Sequence, residues 1–380
     1  MKKIKIKETA VSLLIAAVWF AIGWVANGRL QKSDTALFEQ VQMGLTEHDV
    51  NEMPSSREMT YGAIRGMVAE INDPHAAFLE PEMAARFQQD FNGLTGVTGF
   101  LPELVNGEWI VTVVLPGDPA DLAGLMVGDV IISVDGVSFT PTLSALEASL
   151  LLRGPANKPA EVIVRRGDET LTLTPVRKPR PLVSEGNMLT DEIAYVAQYT
   201  FTANTPNLLR SELVDLLAQN PKAIIWDIRS NGGGSMDAAQ EILSFFIEDG
   251  LLFLVEMKGG EQRPFNATGD TVTTDIPVVV LVSERTYSSA EAAAISMYEN
   301  KRGILIGSST YGKGTVQETV TLLDDSMLQY TVAHWLSPSG IWVEKEGFTP
   351  DNVVVDDPNT ETDELLDAAV DYIETKLIEE

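Results

Sequence analysis

The chain of 380 residues contains no cysteine and only three histidines, His48, His75 and His334. The first absence removes a thiol nucleophile, any disulfide and any thiolate metal site, while leaving the compartment open. The histidines include no pair at the spacing of a zinc hydrolase, which argues against a metal centre. His48, between Glu47 and Asp49, lies in a polar N-terminal stretch far along the chain from any serine at a strand-to-helix corner, so a Ser-His-Asp arrangement has no evident histidine. Positive charge is also scarce. Lys and Arg number 27 against 55 Asp and Glu, a formal net charge of −28, which phosphate backbones repel and which argues against nucleic acid as a partner. The remainder is ordinary for a globular protein, with 44% apolar and 22% charged residues and neither repeats nor low-complexity tracts. The length calls for two or three domains.

Lys2, Lys3, Lys5 and Lys7 precede an uncharged apolar run from Thr9 to Ala26 that carries Trp19 and Trp24. Basic residues ahead of such a run stay cytoplasmic, and about 18 residues can span a bilayer when nearly upright. Residues 1–8 therefore read as a cytoplasmic n-region and 9–27 as a single-pass anchor, with the bulk of the chain extracytoplasmic. The run exceeds a usual signal-peptide core and no clean A-x-A site follows it, which favours an uncleaved anchor over a cleaved signal. Cleavage would instead leave a secreted or periplasmic protein.

Residues 33–92 read as a helical region. Met59, Ile64, Met67, Val68 and Ile71 recur at mostly three- and four-residue steps, and Asn72-Asp73-Pro74 ends that helix. A second short helix starts at Glu80-Pro81-Glu82. Residues 93–178 read as a small β-rich domain: strands at 109–114, 130–134, 161–166 and 170–173, turns at Asp135-Gly136 and Gly167-Asp168, and helices at 119–125 and 145–152. The second helix has Ser144 as its N-cap, with Glu147 three residues on. After the linker Pro179-Arg180-Pro181, residues 179–380 alternate strand (193–196, 223–228, 278–282, 304–306, 328–333) with helix (206–217, 236–247, 289–298) and close on an acidic helix at 363–377. That alternation predicts a parallel α/β sheet covered by helices.

Three segments at or near strand ends carry chemistry, since open α/β sheets place ligands there. Asp227-Ile228-Arg229-Ser230-Asn231-Gly232-Gly233-Gly234 reads either as a flexible turn or as a loop of converging N–H groups suited to an oxyanion. Ser288 lies at a strand-to-helix corner, where it either caps the helix with Glu291 or attacks a substrate, one role excluding the other. Lys313, between Gly312 and Gly314, is either a solvated turn lysine or, if desolvated, an amine neutral enough to take a serine proton. Gln317 shares its face four residues on and could hold that amine.

Taken together, from about Met59 to Val355, the chain resembles the C-terminal-processing (tail-specific) peptidase family. The segments Asn72-Asp73-Pro74-His75 and Phe78-Leu79-Glu80-Pro81-Glu82 resemble the family's "ND-P-H-S-x-Y-L-x-P-E". The β-rich domain resembles its PDZ domain through Ala123-Gly124-Leu125, Gly128-Asp129-Val130-Ile131, Val134-Asp135-Gly136 and Leu152-Arg153-Gly154-Pro155. Asp227 to Gly234 resembles "D-L-R-N-N-P-G-G", Tyr311 to Gln317 "F-G-K-G-T-V-Q", Trp335 to Gly340 "Y-Y-T-P-S-G", and Phe348 to Asp351 "I-T-P-D". The nucleophile pattern "S-A-S-A-S-E", aligned on Glu291, falls on Ser288, with Thr286 and Ala290 in place of the outer serines and Ser289 where alanine is usual. Gly232 replaces the proline of the glycine loop.

The resemblance implies a crotonase/ClpP-like α/β core with an inserted PDZ domain, and a serine endopeptidase acting through an acyl-enzyme without a cofactor. Ser288 would be the nucleophile, Lys313 the base and Gln317 the orienter of the lysine; the N–H groups of Ser289 and Gly233 would form the oxyanion hole. Gly99, Phe100 and Leu101 stand where the PDZ domain's tail-binding loop would be. The implied partners are an exported or membrane-associated protein or peptide taken by its C-terminal tail, and the membrane through the N-terminal segment. A homo-oligomer or an activator protein stays open as a further partner. The competing readings are a non-catalytic, membrane-tethered PDZ adaptor and a crotonase-like acyl-thioester enzyme. The latter would need a basic phosphate-binding cluster that the sequence does not display.

Overall fold

A computed structural model describes residues 34–48, 53–356, 360 and 362–378. The basic n-region and the expected anchor lie outside these residues. Among the described residues no helix is long and apolar enough to cross a membrane. The chain falls into two compact units, Met1–Ala63 and Ile64–Glu380. The first contributes the helix Asp34–His48 and the start of the helix Ser56–Ala69. Among the described residues all sheets lie in the second.

The core is built on a six-stranded sheet in the order Asn187–Met188, Ile193–Ala197, Ala223–Asp227, Val278–Val282, Gly303–Gly307, Asn352–Val353. Every pairing from Ile193 onward is parallel. Its central strands are apolar throughout because both faces are covered. Alternate residues serve the two sides. Ile224, Trp226, Val278 and Val280 pack with Leu209, Leu213, Ala293 and Phe246. Ile225, Val279, Leu281 and Ile306 pack with Ala369 and Ile373 of the C-terminal segment. In the helix Thr205–Leu217, Leu209, Leu213 and Leu216 form the buried stripe, while the adjacent Leu208 is 45% exposed. Residues 209, 213 and 216 follow four- and three-residue steps, and 208 is turned about 100° from the first of them. The helix expected over 236–247 ends at Ser244, where the Ser244 hydroxyl donates back to the Gln240 carbonyl (2.7 Å). The terminal helix runs Glu364–Tyr372 and then widens to a π-helical turn, Ile373–Ile378.

Against this core stands an antiparallel sheet in the order Ala77–Leu79, Met327–Leu336, Leu251–Met257, Gln262–Asn266, with Thr315–Thr321 paired along Met327–Leu336. Four of these strands, Ala77–Leu79, Leu251–Met257, Gln262–Asn266 and Thr315–Thr321, are additional to those expected from the sequence, the first of them inside the stretch read as helical.

A separate antiparallel sheet, Phe100–Val105, Glu108–Val114, Val130–Val134, Val162–Arg166 and Glu169–Leu173, has its own core of Trp109, Val111, Ile131, Ala148, Leu151, Val162 and Val164. The helix Ala145–Leu152 covers it and begins with the expected capping box between Ser144 and Glu147. Asp129, almost wholly buried, takes two hydrogen bonds of 2.7 Å from Arg166. The chain enters and leaves this unit side by side, because Gly96–Val97 pairs with Lys178–Pro179. That is the geometry of an insertion. The helix Pro81–Phe91 lies where the two parts meet: Met83 and Phe87 pack with Leu146 and Leu150 of the inserted unit and with Leu79 and Met327.

Candidate active site

The strand Ala223–Asp227 delivers the glycine loop. Gly233 (φ 80°) and Gly234 (φ 143°) hold backbone conformations that side chains rarely adopt. A Cβ on Gly233 would come 2.7 Å from the Tyr287 carbonyl oxygen and 3.0 Å from the Ser288 Cβ, so the loop lies directly against the serine corner. The Gly233 N–H donates to the Asn231 side-chain oxygen (2.9 Å). Asn231 is fully buried, its carbonyl accepts the Tyr287 N–H (3.0 Å), and its side-chain nitrogen has no partner. Two hydroxyls complete the stitching: Thr286 donates to the Ile228 carbonyl (3.0 Å) and Ser283 to the Arg229 carbonyl (2.7 Å).

Ser288 sits between the strand Val278–Val282 and the helix Ser289–Glu299, with φ 55° and ψ −122°. Such a backbone costs of the order of 1–3 kcal/mol and persists only where its surroundings impose it. Its hydroxyl makes no capping hydrogen bond; the Glu291 N–H goes to the Ser288 carbonyl instead (2.8 Å). The capping reading of this serine therefore accounts for its backbone and leaves its side chain free to act. Ser288 lines a cavity of about 1700 Å³. Ser289 is completely buried and its hydroxyl has no partner, which separates the two adjacent serines physically. As the first residue of the helix, Ser289 has an N–H with no intrahelical acceptor.

Lys313 and Gln317 line the same cavity. The flanking glycines are required by close packing. A Cβ on Gly314 would overlap the Trp342 indole, and one on Gly312 (φ 91°) would meet the backbone at 343–347. The indoles of Trp335 and Trp342 donate to the Lys313 carbonyl (2.7 Å) and the Gly314 carbonyl (3.1 Å). The lysine is thus held in a built pocket. Its nitrogen lies 5.3 Å from the centre of the Tyr287 ring. Burial brings its pKa down to about 8, against the opposing pull of Glu344, Asp73 and Glu291.

Gln317 donates to the hydroxyls of Thr315 (3.0 Å) and Thr331 (3.2 Å). The Asp73 carboxylate accepts the N–H groups of Thr331 (3.2 Å) and His75 (2.9 Å), which brings the Asn72-Asp73-Pro74-His75 segment to the site. Burial and then the Lys313 charge hold His75 below its ordinary pKa. The sequence offered Asp73 only as part of a motif, Glu291 as a capping partner and as the glutamate of the nucleophile motif, and gave no signal for Glu344 or Thr331.

Gly99, Phe100 and Leu101 lie in the inserted unit and do not line this cavity. Phe100 is buried in that unit's core and Leu101 is half exposed. A Cβ on Gly99 (φ 85°) would collide with Asp118, which is paired to Lys178.

Residues 192–354 match the model of Peptidase family S41, and residues 110–166 match that of the PDZ domain. The chain is 34% identical over 321 residues to the chloroplastic carboxyl-terminal-processing peptidase 2 of Arabidopsis thaliana, covering 80% of this chain and 62% of that one. It is 33% identical over 323 residues to the carboxyl-terminal-processing protease of Synechocystis, covering 82% and 74%. The solved structure of a photosystem II D1 C-terminal processing protease superposes with a TM-score of 0.63 at 29% identity, over 84% of this chain and 86% of that one. The fold is that of an S41 peptidase carrying a PDZ domain. The chain belongs to peptidase family S41, among the carboxyl-terminal-processing peptidases. It spans 62% of the length of the Arabidopsis relative.

Proposed function

We propose that this protein is a serine endopeptidase that cleaves proteins presented by their C-terminal tails, with Ser288 as nucleophile and Lys313 as general base. One observation carries the reading: a half-buried serine on a strained corner and a lysine whose pKa burial brings down to about 8 line one cavity. The neutral amine takes the Ser288 proton, and the oxygen attacks the scissile carbonyl. The resulting oxyanion is met by the Ser289 N–H and by an N–H of the glycine loop, a type of donor worth roughly 3 kcal/mol. Lys313 then gives its proton to the leaving amine, and on the return step takes one from the water that hydrolyses the acyl-enzyme. The Gly233 N–H joins in when its hydrogen bond to Asn231 is exchanged for one to the oxyanion. Gln317, with its amide nitrogen engaged by two threonines, keeps its oxygen for the lysine.

We read residues 93–178 as the tail-binding domain, with Gly99, Phe100 and Leu101 in its carboxylate loop, 33–92 as the helical region and 179–380 as a crotonase-like catalytic core. Residues 9–27 are read as an anchor that keeps the catalytic part outside the cytoplasm. The intact chemistry at Ser288 and Lys313 weighs against a non-catalytic adaptor.

The test is cleavage of an unfolded reporter polypeptide ending in apolar residues, offered with a free or an amidated C-terminus. We expect cleavage of both and a several-fold lower kcat/KM for the amidated form, since capture of the terminal carboxylate is lost. Equal kcat/KM for the two would contradict recognition through the tail.

A further inference from the structure

Glu291 is completely buried at the third position of the helix Ser289–Glu299. A capping role would use one donor, the Ser288 N–H, which lies 2.9 Å from its carboxylate. Three more donors reach the same carboxylate from a segment some twenty residues away: the N–H of Gly312 (2.7 Å), the N–H of Lys313 (2.9 Å) and the hydroxyl of Thr310 (2.6 Å). An ionised carboxylate is purely an acceptor, so four donors converging on it fit a carboxylate and no neutral side chain. One side chain therefore ties the backbone of the serine to the backbone of the lysine.

We propose that Glu291 is a positioning residue for peptide hydrolysis, its carboxylate fixing the Ser288 and Lys313 peptide groups relative to each other. The proposal rests on the Ser288–Lys313 reading above. Its logic is geometric. Ser288 is on a corner with an unfavourable backbone, and Lys313 is on a segment of no regular structure between two glycines. Neither location is held by the hydrogen bonds of a regular helix or strand. A hydrogen-bonded bridge shared by both removes the relative motion that would otherwise separate base from hydroxyl, and a displacement of about 1 Å can cost 10²-fold in rate.

The bridge has an electrostatic side. Burial raises the Glu291 pKa above the ordinary carboxyl value, while its four donors oppose that rise. In its ionised form it favours the Lys313 ammonium, as do Glu344 from the segment after Met327–Leu336 and Asp73 from the segment before Ala77–Leu79. Among the other titratable groups in this environment are His75, held low and so uncharged at neutral pH, Tyr287, whose pKa burial raises, and Tyr311, whose ring centre lies 4.2 Å from that of Tyr287. Removing the Glu291 charge must therefore lower the Lys313 pKa further. A residue that merely filled space would leave that pKa where it is.

The full chain carrying Glu291→Gln, Glu291→Asp or Lys313→Ala is compared with wild type, using a quenched-fluorescence peptide that ends in a free apolar carboxylate, across pH 6 to 10, with thermal melting measured alongside. Glutamine keeps the shape but brings an NH₂ group toward N–H donors. We expect kcat to fall about 100-fold with KM little changed, and the acid limb of the profile to move to lower pH. Aspartate keeps the charge but is one methylene short, so kcat should fall less and the limb should stay in place. Wild-type kcat in the glutamine variant, or a fall with an unmoved limb, overturns the proposal. Should the glutamine variant fail to fold, the aspartate variant decides: a lowered kcat at unchanged KM and melting temperature supports the proposal, and an unchanged kcat overturns it. Full activity in Lys313→Ala would instead overturn the underlying serine-lysine reading, whatever the Glu291 variants do.

Discussion

Replacing Lys313 by alanine is expected to lower kcat/KM by about three orders of magnitude, the contribution of a well-placed general base, with little change in substrate affinity. Arginine should not rescue it, because a guanidinium does not give up its proton in this pH range. The wild-type profile gives the sign of the effect. Burial holds the Lys313 amine to about 8, so the base is mostly protonated at lower pH and mostly free above it. An ammonium cannot accept the serine proton. Activity should therefore rise with pH through about 8 and fall about tenfold per unit below that value. A profile flat from pH 6 to 9 would mean that another group takes the proton. His75, half-buried, held below its ordinary pKa and near enough to feel the Lys313 charge, would then be the first alternative.

Gly233→Ala should be strongly damaging even though it leaves every reactive side chain in place. The residue has φ 80°, and an added Cβ would press on the Tyr287 carbonyl and the Ser288 Cβ at 2.7 and 3.0 Å. An alanine in this backbone region costs roughly 1–2 kcal/mol before any clash. Relief of the clash must displace either the glycine loop or the serine corner. We expect kcat to fall at least about 100-fold, the size of effect seen when one oxyanion donor is lost. Melting temperature should drop by a few degrees, as roughly 2 kcal/mol implies for a chain of this size. Gly232→Ala is the control, because a Cβ there meets nothing within 4 Å. Equal losses in both variants would show that the loop tolerates no side chain anywhere, and that the contact with Ser288 has no special weight.

How much of this was legible depended on how local the cause was. The capping box at Ser144 and Glu147 formed as read, because its donors and acceptors lie within four residues. The buried strand Val278–Val282 was equally plain, since a sheet covered on both faces selects an unbroken apolar run. The strand Gln262–Asn266 was not, being a mostly exposed edge with Pro264 in it, and edges impose little on sequence. At the site, Ser288, Lys313 and Gln317 stood out as residue types, and they do line one cavity. The reasons for their neighbours did not show. Gly314 is a glycine because Trp342, 28 residues later, covers it. Glu291 looked like a capping partner because only one of its four donors is local. The engagement of the Gly233 N–H by Asn231 was likewise invisible, since it depends on which way a buried amide turns.

The central claim is that Ser288, and not its neighbour, is the nucleophile. The most direct test measures cleavage of the unfolded reporter by wild type, Ser288→Ala and Ser289→Ala side by side. Loss of all measurable turnover in Ser288→Ala, with near wild-type turnover in Ser289→Ala, is the result the buried, unpartnered Ser289 hydroxyl and the cavity-lining Ser288 predict. Persistent cleavage by Ser288→Ala, with loss in Ser289→Ala, would contradict it.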